Sequence, residues 1–92
     1  MEPAPTERIE AILKERFRPV YFELRDESSH HVGHKGATSG GGHYQVTLVS
    51  SAFDGLSRLD QHRLVNAALA DMIGNEIHAL GLKTYSTSEW GA

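Results

Sequence analysis

Apolar residues in this chain switch repeatedly between two spacings, and that pattern limits the folds open to it. Over 7–17, Ile9, Ile12, Leu13 and Phe17 recur at helical spacing and form one apolar stripe. Over 20–25, "VYFELR", the period drops to two. Val20, Phe22 and Leu24 face one way there, and Tyr21, Glu23 and Arg25 the other, as in a half-buried strand. Period two returns over 43–50, "HYQVTLVS", with Tyr44, Val46 and Leu48 inward. A helical spacing resumes after Ser57, with Leu59, Val65, Leu69 and Met72 on the inward side. "IHALGLKTY" (77–85) reads as a third strand. "STSEW" (86–90) makes a closing helical turn that folds Trp90 back on the body.

Local signals set the boundaries. Thr6 caps the first helix, with Glu7 in its first turn. Pro19 ends it, because the residue before a proline disfavours the helical region. "FDG" (53–55) is a turn, and Ser57 with Asp60 forms an S-x-x-D capping box. That helix runs to about Ile73, where Gly74-Asn75 stops it. Ser86 or Thr87 caps the final turn. The order is α-β-β-α-β plus a short C-terminal helix. The second and third strands flank one helix, so as neighbours they run parallel with a right-handed crossover. The expected fold class is α+β, a three-stranded mixed sheet with helices packed on one face.

A chain of 92 residues makes one domain, here 6–92, after a disordered N-terminus over 1–5. So small a core favours a shallow surface site over a deep one. The formal charge of −3 argues against life mainly on nucleic-acid phosphates. No cysteine is present, which excludes disulfides and thiol chemistry from this chain. The start carries acids before any apolar run, unlike a signal or transit peptide, and no apolar run approaches the ~20 residues of a membrane span. The expectation is a soluble, cytoplasmic protein with no membrane partner.

The connection between the first two strands is the unusual part. "DESSHHVGHKGATSGGGH" (26–43) holds His30, His31, His34 and His43 together with five glycines. It spans about 17 residues, and unstructured loops beyond ~12–15 residues are uncommon and usually functional or disordered. Neutral imidazole is a common ligand for zinc, iron, copper and nickel. The H-x-x-H of "HVGH" lies on a glycine loop rather than a helix, so it does not match the helical zinc motif. A closed zinc site needs four ligands, and no second dense ligand cluster exists. A metal completed by a partner fits better, with His78 at the start of the third strand as a further ligand. "GHKG" (33–36) is a G-x-x-G, but it lies between strands rather than between the helices that clamp nucleic acid in KH domains. His62 shares a helix face with Val65 and Leu69, as a packed histidine would. No nucleophile–base pair or paired-carboxylate site is visible, so no enzyme is expected.

"FELRDES" before a His- and Gly-rich loop, "HYQVTLVSSAFDGLS", "QHRLVNAAL" and "IHALGLKTYSTSEW" together resemble the BolA family over about residues 7–90. The resemblance implies a KH-like fold of type II topology. It implies pairing with a monothiol glutaredoxin around a bridging [2Fe–2S] cluster, in iron–sulfur trafficking or iron homeostasis. The glutaredoxin would supply a cysteine and a glutathione thiol; the isolated chain would hold no cofactor. Carried onto this sequence, the third-strand ligand is His78 and the loop ligand His31, with His30 and His34 as rivals. Two imidazoles in place of thiolates are similar to Rieske ligation. The family also includes DNA-binding transcriptional regulators of stress and stationary-phase morphology. On that alternative Arg58, Arg63 and Lys83 would touch phosphates. Gln61 stands where the family's helix motif carries its first arginine, which removes one positive charge from that surface. Alone, the chain is expected as a monomer or weak homodimer.

Overall fold

The computed structural model describes residues 4–28 and 42–91. In chain order they form α1 (Pro5–Phe17), β1 (Tyr21–Asp26), β2 (Gly42–Val49), a 3-10 turn (Ser51–Phe53), α2 (Arg58–Ala68), β3 (Ile77–Tyr85) and α3 (Thr87–Trp90). The strand order is β1-β2-β3. β1 runs antiparallel to β2, and β3 runs parallel to it. This is the α-β-β-α-β order and mixed sheet that the hydrophobic spacing predicts.

Strand alternation fills the core. Tyr44, Val46 and Leu48 of β2 face Ile9, Leu13 and Phe17 of α1 and Val65 of α2, with Phe53 closing one end. The opposite sheet face carries Tyr21, Glu23 and Arg25 of β1, His43, Gln45 and Thr47 of β2, and Ala79, Gly81, Lys83 and Tyr85 of β3. The short α3 does not join the helix layer. Its Trp90 stacks on Tyr21 (ring centroids 5.0 Å apart) and tilts against Tyr85 (5.4 Å) on that other face. These rings flank Val49, which is fully buried although no long helix covers it.

Several local readings of the sequence are corrected. Ala4, not Thr6, is the N-cap of α1, and Pro5 takes the first helical position. Proline suits that place because its φ is preset and its missing N–H has no partner to lose there. The Ala4 N–H donates to Glu7 Oε1 at 2.9 Å. Val20 lies just before β1 and is 68% exposed. Its N–H bonds the Val49 carbonyl at 2.9 Å, but no helix covers the side chain. α2 ends at Ala68, short of Ile73. Beyond it Met72 N–H bonds Leu69 O (2.9 Å) in a tighter turn, and Gly74 reverses the chain at φ 89° to deliver Ile77 to the sheet. Leu69 and Met72 are buried all the same. Leu59 is 60% exposed, and Gln61 takes the inward place instead. Gln61 sits four residues before Val65 and eight before Leu69, so it shares their stripe. Its amide donates to Leu56 O (3.0 Å) and its Oε1 accepts from Arg58 (2.9 Å), which satisfies the buried group.

Arg18 closes α1 in the left-handed region (φ 46°, ψ 59°), its N–H bonded to Lys14 O at 3.0 Å. A side chain costs energy in that conformation and glycine does not. Arg18→Gly is therefore expected to stabilise the fold by about 0.5–1 kcal/mol, read as a rise in the urea midpoint. A lower midpoint would contradict the assignment of strain.

Ser86 caps α3, accepting from the Glu89 N–H at 3.2 Å, while Ser86 N–H donates to Glu89 Oε1 at 2.7 Å. The Ser86 backbone N–H holds the Glu89 carboxyl below its ordinary value of 4.5, and the ion pair with Arg58 (3.0 Å) acts in the same direction. A carboxyl depressed in the native state binds fewer protons there than in the unfolded chain. Its contribution is present above the unfolded value and is lost as pH falls through the folded one. The melting temperature should therefore decline from about pH 5 toward pH 3, and less steeply in Glu89→Gln. Identical slopes for the two proteins would contradict the linkage.

Candidate imidazole site and basic groove

The start of β2 is tied down from both sides. The His43 N–H donates to Ser28 Oγ (2.9 Å), and Glu27 N–H donates to His43 O (2.8 Å). Gly42 N–H donates to Glu76 O at 2.8 Å, which draws the start of β3 alongside. Glycine is required at 42: a Cβ there would run into the phenol ring of Tyr44. Burial raises the Tyr44 hydroxyl above its ordinary value of 10.0, and the Asp26 charge adds to this.

The register then slips. Gly42 pairs with Ile77, but His43 pairs with Ala79, so His78 is the extra residue of a bulge. Bulges of this kind re-aim a side chain next to functional sites. Ile77 keeps its core position, and the His78 side chain turns out to solvent. Its ring stacks on His43, with centroids 5.1 Å apart and planes at 29°. Two imidazoles thus lie side by side at one end of the sheet. The chain leaves the described residues at Ser28 and re-enters at Gly42, immediately beside this pair. His30, His31 and His34 lie outside the described residues. Among the described residues no group of three or more His, Asp or Glu side chains is placed to hold a metal ion.

The proximity of His43 to His78 is the feature that sequence reasoning missed. Alternation places His43 on the face opposite Tyr44, but its contact with His78 depends on the bulge, which no local signal announces.

The three cations considered for phosphate contact are separated in role. Arg58 donates to Thr84 O, Gln61 and Glu89, and its guanidinium lies 5.2 Å from the centre of the Tyr85 ring. Arg63 is exposed, 3.6 Å from Asp60. Lys83 is exposed and makes no ion pair among the described residues. Arg58 and Lys83 line one groove with His62, Leu82, Thr84 and Tyr85; Arg63 is outside it. His62 is half-buried as its helix spacing suggests, and its Nε2 is buried without a hydrogen-bond partner among the described residues. No helix among the described residues is long and apolar enough to cross a membrane.

Comparison with known proteins agrees with this architecture. The family model described as BolA-like protein matches residues 13–89. A Vibrio cholerae protein named DNA-binding transcriptional regulator BolA is 44% identical over 82 residues, which is 89% of this chain and 74% of that protein. Human BolA-like protein 1 is 42% identical over 78 residues, covering 85% of this chain and 55% of the human one. The solved BolA domain of SufE1 from Arabidopsis thaliana superposes with a TM-score of 0.80 at 32% identity, over 97% of this chain and 99% of that domain. With the α-β-β-α-β order, the mixed sheet and the family match all in agreement, this chain belongs to the BolA-like family.

Proposed function

We propose that this protein partners a monothiol glutaredoxin and lends imidazole to a [2Fe–2S] cluster bridging the two, in iron–sulfur trafficking or iron homeostasis. The observation that carries this reading is the His43–His78 pair, stacked at the sheet end with His78 exposed. An exposed imidazole fits such a cluster, since histidine pairs ligate [2Fe–2S] iron in Rieske centres. A chain without cysteine has imidazole as its natural donor to iron of this kind. His78 would be one ligand and a loop histidine, His31 ahead of His30 and His34, the second. The remaining ligands would come from the glutaredoxin cysteine and a glutathione thiol.

The test is reconstitution of both proteins together with iron, sulfide and glutathione. A visible spectrum distinct from that of the glutaredoxin alone is expected. A spectrum identical to the glutaredoxin's own would refute the mixed complex.

The name of the Vibrio cholerae relative favours a second reading, a DNA-binding regulator. Against it, Arg58 and Arg63 are already paired with Glu89 and Asp60, and the net charge is −3. Phosphate contacts dominate such binding and weaken steeply with salt. A salt-titrated gel shift decides: negligible affinity at moderate salt removes DNA as a direct target.

A further inference from the structure

β3 is an edge strand, and the pattern of its hydrogen bonds defines what its free edge can do. Ser50 N–H donates to Tyr85 O (3.1 Å), so the backbone of Tyr85 faces β2. By alternation Gly81 and Lys83 face β2 as well, and Leu80, Leu82 and Thr84 turn their N–H and C=O groups outward. Both ends of this outer edge are closed. Ile77 N–H bonds Met72 O (2.9 Å), and Gly74 N–H bonds Ile77 O (2.8 Å). At the other end the Arg58 guanidinium caps Thr84 O. Between these caps, no group among the described residues pairs with the outward N–H and C=O of Leu80 and Leu82 or with the N–H of Thr84.

The free edge is also the floor of a groove. Leu82, Lys83, Thr84 and Tyr85 line it from the strand, and Arg58 and His62 from α2. Two buried polar atoms there, Thr84 Oγ1 and His62 Nε2, lack hydrogen-bond partners among the described residues, and Thr84 is only 1% exposed. Buried polar groups normally have partners, so an orphaned pair beside an open ladder marks a place where a ligand supplies them. A strand edge beside a helix is the arrangement by which extended peptides add a strand to a sheet.

We propose that the groove between β3 and α2 binds an extended acidic peptide segment of another protein, which adds as a fourth, antiparallel strand along Leu80–Thr84. Main-chain hydrogen bonds to Leu80 and Leu82, which are only partly buried, supply the pairing. On the open face a glutamate of the peptide lies across from Lys83, the strand's only charged side chain apart from the histidine and one without an ion pair among the described residues. On the other side the peptide's next residue meets Thr84 and His62. A second copy of this chain fits less well, because antiparallel pairing of two β3 strands brings both copies' Lys83 and Arg58 to one seam. Nucleic acid fits less well too, since its backbone offers no N–H groups to the outward carbonyls of Leu80 and Leu82. The inference is independent of the glutaredoxin reading: His78 lies at the opposite end of β3.

The test uses the full chain and the pentapeptide Ac-TVEVT-NH2, followed by amide NMR. Shifts confined to Leu80, Leu82, Thr84 and their neighbours are expected, with slowed hydrogen exchange at those amides. Ac-TVKVT-NH2 should bind at least ~5-fold more weakly, and Lys83→Glu should reverse that order. The exposed Lys83 lies outside the core, so this variant keeps the fold. Four results would overturn the proposal: no shifts at this edge, shifts without charge preference, the same amides responding to protein concentration in the absence of peptide, or tighter binding of a thymidine oligonucleotide at this edge.

Discussion

Replacing Phe53 by alanine is expected to destabilise the fold by about 3–5 kcal/mol. Phe53 is fully buried, and its ring packs 5.2 Å from Phe17 at 43°. It sits in the turn that hands β2 over to α2, so its side chain joins α1, β2 and α2 at one point. The turn cannot close over the gap, because Ser50 anchors it: Ser50 Oγ donates to Phe17 O (2.6 Å) and accepts from Ala52 N–H (3.0 Å). The cavity therefore persists, and the loss of packing adds to the loss of burial. A domain of this size has roughly 5–14 kcal/mol in total. The variant should lose roughly a fifth or more of it, read from urea unfolding as a fall in midpoint at constant slope. A loss below about 1 kcal/mol would contradict the role given to this residue.

Much of this arrangement is legible in the sequence because two periodicities carry it. The bounds of β3, 77–85, match the segment read as the third strand, and alternation gives the inward set Tyr44, Val46 and Leu48. Helix phase is harder to read where a polar residue faces inward. Gln61 is buried because Leu56 O and Arg58 satisfy it, and neither partner is evident from its neighbours in sequence. Hydrophobicity alone points Leu59 inward, yet it lies two residues from Gln61 and so on the far side of the helix. The site divides in the same way. His78 was identifiable as a strand-start histidine, but its contact with His43 rests on a one-residue register slip between β2 and β3. Such a slip is set by what packs on both sides, here Ile77 in the core and Glu76 O bonded to Gly42 N–H, rather than by a local motif. His30, His31 and His34 lie outside the described residues.

The second large effect concerns His78. Its side chain is exposed and contributes no core contact, so His78→Ala should change stability by no more than about 0.5 kcal/mol. Cluster binding should respond quite differently. Loss of one ligand from a four-ligand site leaves an iron one donor short, and no cysteine of this chain can replace it. His62 provides the control histidine: it packs on α2 beside the groove, away from the bulge. His31→Ala tests the loop ligand in the same way.

The most direct measurement is the visible spectrum of this protein reconstituted with a monothiol glutaredoxin, iron, sulfide and glutathione, taken for wild type, His78→Ala and His62→Ala at equal melting temperature. Loss of the mixed-complex spectrum in His78→Ala alone is the result expected. One unchanged spectrum across all three proteins would contradict His78 as a ligand.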